Sequence, residues 1–228
     1  MSVTAGILNY NYARFVRQAI DAVAEADKIV VIDDGSTDES ITVIRQAMHD
    51  HPQLELGVHK ENSGSAVAGF NDIIKTCDTE WLSCLSADDA MLSGFKPFLA
   101  ESDADWVWGD LVIIDEHGRD IDYWDYSRFP RSPEECIERI RKTHTNYPPF
   151  AGAFFRTSWI RENGLKALEW EDGFKGFEDT LWSWNWLKAN PKLEYLHIPW
   201  CRYRRHSKQG TFTDDREGAM RRIGELVA

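Results

Sequence analysis

Lys28-Ile29-Val30-Val31-Ile32-Asp33-Asp34-Gly35-Ser36-Thr37-Asp38 is the stretch on which the reading of this chain turns. Its first five residues are rich in apolar and β-branched side chains, as a buried strand requires. The run then breaks into carboxylates, a glycine and hydroxyls, the composition of a tight turn. Ile41, Val43, Ile44 and Met48 follow at helical spacing. Strand, acidic turn and helix are thus written in eleven to twenty residues.

The same rhythm extends to both sides. Val3–Leu8 reads as a buried strand and Tyr12–Ala26 as a helix that turns Phe15, Ala19, Ile20 and Val23 to one face. Leu54–Val58 is a further strand, Gly64–Cys77 a helix, and Trp81–Leu85 a strand that ends in Ser86-Ala87-Asp88-Asp89. Alternation of this kind predicts an α/β fold, a mostly parallel central sheet flanked by helices. Right-handed crossovers place the loops after the strands on one common edge. Beyond Trp106–Ile114, a strand, the pattern loosens: a hairpin turn at Glu116–Arg119, a helix at Pro133–Lys142 capped by Ser132, and a strand at Gly152–Arg156. A short helix at Thr157–Asn163, a helix at Asp179–Lys188 and a final strand at Leu193–Ile198 complete the expectation. Without a long linker, residues 1–228 read as a single domain: a nucleotide-binding half, 1–115, and an acceptor and catalytic half with a smaller lobe, 116–228.

Bulk properties narrow the function. Among 228 residues, 43% are apolar, 28% are charged and the net charge is -12. Such a balance argues against a phosphate-neutralising surface for nucleic acid. Against it, Arg202, Arg204, Arg205 and Lys208 form a local basic cluster suited to a small anion such as a diphosphate. The four cysteines, Cys77, Cys84, Cys136 and Cys201, show neither paired nor zinc-like spacing and read as buried thiols. No apolar run reaches the ~18 residues that a membrane helix needs, and the start of the chain enters directly into a strand. A cytoplasmic protein, at most peripheral to the inner membrane, is the expectation.

Two acidic pairs, Asp33-Asp34 and Asp88-Asp89, stand at strand ends, where α/β sheets bind ligands. Carboxylates repel bare phosphate, but a divalent cation between them reconciles the two. One such pair alone reads rather as a turn before a capped helix; two at equivalent strand ends favour a site.

The ordered motifs resemble glycosyltransferase family 2, the inverting group with the A-type nucleotide-sugar fold. They are Ile7-Leu8-Asn9-Tyr10-Asn11, Val31–Asp38, Glu61-Asn62-Ser63-Gly64 with Ala68 and Asn71, Ser86-Ala87-Asp88-Asp89, Phe177-Glu178-Asp179 and Tyr203-Arg204-Arg205-His206. The resemblance implies a UDP-sugar or similar nucleotide-sugar donor, a glycan, lipid-linked or small-molecule acceptor, and Mn2+ or Mg2+ as cofactor. It implies that Tyr10 and Asn11 flank the base, that Asp34 accepts a bond from it while Asp33 braces the loop, and that Asn62, Gly64 and Asn71 approach the nucleotide. Tyr10 is equally a strand-end packing residue, and Asn62 equally a helix cap. Asp88 and His206 are implied as metal ligands, Ser86 and Asp89 as ribose or loop contacts, and Arg204 as a diphosphate contact. Ser86 replaces the first carboxylate of the family's Asp-x-Asp segment. Asp179 is implied as general base and Glu178 as its neighbour, where the residues alone read as an acidic helix start. Trp170, Trp182 and Trp200 are candidate sugar platforms, though each taken singly reads first as a core residue. A sugar-phosphate nucleotidyltransferase would want a glycine-rich loop at Leu8–Arg14, which has none; a non-catalytic sugar-nucleotide-binding module is the remaining alternative.

Overall fold

A computed structural model of the chain describes residues 1–169, 177–207, 209 and 216–227. The first half follows the expected alternation: β1 (Val3–Asn9), α1 (Val16–Ala22), β2 (Lys28–Asp33), α2 (Ser40–Ala47), β3 (Leu54–Val58), α3 (Val67–Thr76) and β4 (Trp81–Ser86). Strands β1 and β2 are buried along nearly their whole length, which is why they read as continuous apolar runs rather than alternating ones. The sheet order runs β3-β2-β1-β4, every ladder parallel. Successive connections leave β1 in one direction to β2 and β3, then return to its other side at β4. This reversal opens a crevice at the carboxyl ends of β1 and β4. Register aligns the edge: Asn9 pairs with Asp33, and Leu8 with Ser86.

The second half completes the same sheet. It contributes β5 (Ala90–Met91), α4 (Lys96–Glu101), β6 (Trp106–Ile114), β7 (Asp120–Trp124), α5 (Pro133–Thr143), β8 (Phe154–Arg156), α6 (Thr157–Glu162), α7 (Glu178–Leu187), β9 (Leu193–Arg204) and α8 (Arg216–Val227). Strand β8 lies antiparallel between β4 and β6, and β6 runs parallel to β9. Parallel ladders carry most of the paired residues, and the antiparallel ones cluster where the sheet curls. Trp106, Trp182, Trp186, Phe70, Phe150 and Phe155 pack one face; Val16, Ile20, Ile44, Phe95, Phe154 and Trp200 pack the other.

Departures from the sequence pattern have local causes. Helix α1 starts at Val16, not Tyr12, because Asn11 is left-handed (φ 55) and Tyr12 O receives the amides of Phe15 and Val16 in a turn. Strand β9 runs on to Arg204 instead of ending at Ile198. Its register against β6 shifts on both sides of Asp110, and the bulge lets Pro199 be absorbed. The extension pairs Arg202 with Ala90 and draws the Tyr203-Arg204 tail against the Asp88-Asp89 loop. Trp200 is consequently a core residue, edge-on to Phe154 at 5.6 Å. Ser132 caps α5 as expected, its hydroxyl accepting from the Glu135 amide at 3.3 Å.

The bulge depends on Gly109. A Cβ there would stand 2.6 Å from Ile198 O and 2.8 Å from Trp200 Cβ, both on β9. Gly109→Ala is expected to lower stability by about 1–3 kcal/mol through overpacking. A fall in the urea midpoint at unchanged slope would register it; an unchanged midpoint would mean that β9 yields freely.

Candidate active site

The crevice is a cleft of about 1110 Å³ walled by both halves of the chain. Tyr10, Asn11, Asp34, Asn62, Gly64, Ser86, Asp88 and Asp89 line it from the first half; Glu178, Asp179 and His206 face them from the second. Of the residues singled out from sequence, Asp33, Asn71, Trp200, Arg202, Arg204 and Arg205 are not among its walls.

At the carboxyl ends of β1 and β2, buried carboxylate Asp33 holds the loops together. It accepts Asn9 Nδ2 at 2.7 Å, the Ser36 amide at 2.8 Å and the Ser36 hydroxyl at 2.7 Å. Asn11 knits the neighbouring loop to it: its amide donates to Ser36 Oγ at 2.8 Å and its Oδ1 accepts from the Thr37 amide at 2.8 Å. Asp34 instead turns to the cleft, receiving Ser63 Oγ at 2.9 Å and bonding His59 Nδ1 at 2.7 Å. His59 Nε2 reaches Asp72 at 3.0 Å, so the imidazole bridges two carboxylates. The bond to Asp34, seconded by Asp72, holds its pKa above the usual histidine range. Tyr10 leaves its ring 41% exposed at the mouth, an open face where a planar base can stack. Asn62 is not a helix cap: α3 begins at Val67 with no side-chain cap, and Asn62 Oδ1 accepts from the Gly64 amide within a turn that needs Gly64 at φ 79. Asn71 is committed elsewhere, its amide exchanging two bonds with the backbone of Ala167 at 2.9 and 3.1 Å. It pins the segment before 170 to α3.

Across the crevice, Asp88 is buried, with Oδ2 3.0 Å from His206 Nε2 and Oδ1 without a hydrogen-bond partner among the described residues. A carboxylate oxygen left open beside an imidazole is a donor set that would suit a divalent cation such as Mn2+ or Mg2+. Ser86, in place of a carboxylate, spends its carbonyl on the Asp89 amide at 3.0 Å. Asp89 accepts the Arg204 amide at 2.8 Å; burial first, then the Asp88 charge, pushes its carboxyl well above the usual range. The same burial and the same two carboxylates raise the Tyr12 phenol.

Arg204 corrects the sequence reading. Its guanidinium is buried and engaged: Nε donates to Asp88 O at 2.7 Å, Nη2 to Gln18 Oε1 at 2.7 Å, and Nη1 to Asp115 O at 3.1 Å. It braces the Asp88-Asp89 loop from within the protein and stands off the cleft wall. Among the described residues, the arginine that lines the cleft is Arg14, its guanidinium paired with Glu116 at 3.0 Å. No motif marks Arg14, since a turn before a helix carries no pattern. Lys208 and Trp170 lie outside the described residues.

On the facing wall, left-handed Phe177 (φ 59) turns the chain into α7, whose first residues are Glu178 and Asp179. Asp179 is partly buried and accepts Asn146 Nδ2 at 2.9 Å; desolvation raises its carboxyl above the usual range. Asn146, which no motif flagged, lines the cleft beside it. Trp182 stacks on Phe70 at 5.2 Å and donates to Leu168 O at 2.9 Å, a core packing that leaves one side on the cleft. A separate group, Asp110, Asp125 and His197, has ligand atoms within 4.8 Å of one another. The Asp110 carboxylate there already receives Tyr123 Oη and Tyr195 Oη at 2.6 Å and the Tyr126 amide at 2.8 Å.

A parallel half-sheet with its crevice at β1 and β4, closed by a curled mixed half, defines the A-type nucleotide-sugar transferase fold. The chain belongs to glycosyl transferase family 2, whose family model matches residues 4–164. It is 30% identical over 187 residues to an uncharacterized glycosyltransferase of Nostoc sp., covering 76% of this chain and 58% of that one. It is 24% identical to the GalNAc(5)-diNAcBac-PP-undecaprenol beta-1,3-glucosyltransferase of Campylobacter jejuni, over 86% of this chain and 62% of the relative. Among solved structures, the S. aureus TarS fragment 1–349 in complex with UDP-GlcNAc superposes with a TM-score of 0.76 at 17% identity, covering all of this chain and 65% of that one. The mannosyltransferase PcManGT of Pyrobaculum calidifontis, in complex with GDP-Man and Mn2+, gives 0.55 at 18% identity, over 86% of this chain and 54% of that one. This chain thus spans less than two thirds of the length of these relatives. Among the described residues, no helix is long and apolar enough to cross a membrane.

Two outcomes follow from the geometry. Arg204→Ala should cost the ligand-free protein about 3 kcal/mol or more, because it orphans buried carbonyls; a surface phosphate contact would leave ligand-free stability unchanged. His59, with its raised pKa, stabilises fully below about pH 6.5, and that contribution is lost as pH rises through the raised value. The melting-temperature gap between the native protein and His59→Ala should therefore be wider at pH 5.5 than at pH 9.

Proposed function

We propose that this chain is an inverting glycosyltransferase that moves a sugar from a UDP-sugar to an acceptor hydroxyl, the acceptor being a glycan or a lipid-linked sugar. One observation carries the reading: Asp34, the Asp88–His206 pair and Asp179, separated by up to 172 residues, line the same cleft. A C. jejuni relative whose name specifies an undecaprenol-linked acceptor and a Rhizobium meliloti relative named for succinoglycan biosynthesis support an acceptor of this kind. Such acceptors would be met at the cytoplasmic face of a membrane.

The chain's own residues divide the labour. Tyr10 offers a ring face to the base, and Asp34 offers carboxylate lone pairs to its N–H groups. Asp88 and His206 are the residues that would hold a divalent cation, which when bound offsets the charge gathering on the departing diphosphate. Arg14 is the cation at the cleft wall that can face the same diphosphate once Glu116 releases it. Asp179 takes the proton of the acceptor hydroxyl while its oxygen bonds to the anomeric carbon and the carbon–diphosphate bond breaks on the opposite face. Because burial raises its carboxyl, Asp179 is lost as a base below a pH above the ordinary carboxylate range. Activity therefore falls on the acid side of that raised value.

Asp179→Asn is expected to lower turnover by roughly 10²–10⁴-fold, the usual contribution of a general base. Calorimetric affinity for UDP in manganese should stay within twofold of the native protein. Native turnover in this variant would remove Asp179 from the chemistry. UDP that binds no more tightly with manganese than with a chelator would remove the cation.

A further inference from the structure

We infer that Asn146 is a positioning residue, whose amide, oriented by Ser183, fixes the Asp179 carboxylate in the cleft. The inference rests on the reading of Asp179 as base and adds to it the group that makes this side chain usable. Asn146 Nδ2 donates to Asp179 Oδ2 at 2.9 Å, and Ser183 Oγ donates to Asn146 Oδ1 at 2.5 Å. The two contacts are directional. An ionised carboxylate only accepts, so the amide must present its NH2 group to Asp179 and its oxygen to Ser183. Ser183 is fully buried one turn along the same helix, so its hydroxyl has this amide as its partner. A flipped amide would set oxygen against oxygen at Asp179.

The loop that carries Asn146 is itself anchored on both sides. Before it, left-handed His144 ends α5 with its amide on Ile140 O at 2.7 Å. After it, buried Tyr147 donates to Pro130 O at 2.8 Å and stacks on Phe129 at 5.4 Å. The amide is therefore presented by a fixed backbone, as a group that orients a base must be. Asp179 Oδ1 accepts the Thr180 amide at 2.9 Å. Each oxygen thus takes one N–H and keeps a lone-pair site for the acceptor's proton.

Removing the donor should also change when Asp179 ionises. Burial disfavours the carboxylate, the Asn146 bond favours it, and the Glu178 charge beside it on α7 adds to the disfavour. Among the described residues, α5 meets α7 but its Arg141 acts on Lys188 at the far end, and α3 meets it through the Phe70 ring. Helix α8 contributes Ile223 and Met220 to the shared core. After burial, the main influences on Asp179 are the Asn146 amide, the Thr180 backbone N–H and the Glu178 charge, none of them a cation.

The test uses the full chain, with UDP release from UDP-glucose, UDP-galactose or UDP-N-acetylglucosamine, whichever the native protein turns over. Asn146→Ala is expected to lower kcat 10- to 100-fold with KM and UDP affinity within twofold. The acid limb of its kcat profile should move up by about one pH unit as the hydrogen bond favouring the carboxylate is lost. Asn146→Asp, of nearly the same shape, should lose at least as much and move the limb further, since two carboxylates then compete for one proton. Ser183→Ala should move both quantities the same way by a smaller amount. Native kcat in Asn146→Ala, or a lowered kcat with an unmoved acid limb in both Asn146 variants, overturns the inference. If Asp179→Asn is inactive while the Asn146 variants behave as native, only the positioning role fails. If Asp179→Asn is active, the base assignment fails and this inference with it.

Discussion

A guanidinium withdrawn from water holds the two halves of this molecule in register. Arg204, at the end of the last strand, reaches back to the Asp88 carbonyl, to Gln18 on the first helix and to the Asp115 carbonyl at the β6–β7 turn, while its own amide bonds Asp89. Burial makes the charged form costly, and the side chain's pKa is lowered by it. That cost is offset only while every one of these acceptors stays in place. The ring of Phe15 beneath the guanidinium, at 4.5 Å, adds a cation–π face. From this anchorage follows the position of His206, two residues on, against Asp88.

The cleft that results is acidic on both walls, and this fixes what it can accommodate. Asp34 is already hydrogen-bonded and half answered by the bridging His59, so it can meet a neutral, N–H-bearing ligand edge without further compensation. Asp88 and Asp89 are different. They are buried side by side, one with an oxygen unmatched among the described residues, and burial drives Asp89 toward its protonated form. A site of that kind is electrostatically incomplete, and a cation that arrives with its own anionic partner completes it. On the opposite wall Asp179 is partly buried beside the Glu178 charge, and its two oxygens accept the Asn146 and Thr180 N–H groups. Two carboxylates in two environments are thereby suited to two tasks.

Much of the parallel half could be read from the chain because its information is local. Continuous apolar runs mark β1 and β2, acidic turns mark their ends, and each helix between shows its buried stripe within ten residues. The second half was less legible for an equally physical reason. Strand β9 continues past Pro199 only because a bulge against β6 tolerates it, and β5 exists only as the partner of that continuation. Helix α4, β5 and α8 carry no pattern strong enough to announce themselves. The basic tail suggested a phosphate contact at Arg204 because a sequence shows a charge but not whether water can reach it. Asn71 misled similarly: its amide is polar in any context, and only the fold commits it to Ala167.

By itself, then, the sequence determined the alternation of elements, the parallel half-sheet and the edge on which Asp34 and Asp88 stand. These follow from periodicity and turn chemistry, which act over a few residues. Tertiary structure alone decided which carboxylate keeps an open oxygen, which arginine is spent on bracing and which faces the cleft, and that Asn146 and Ser183 stand behind Asp179. Such assignments depend on burial and on partners more than thirty positions away, and a hydrogen bond between distant residues leaves no periodic trace in the chain that makes it.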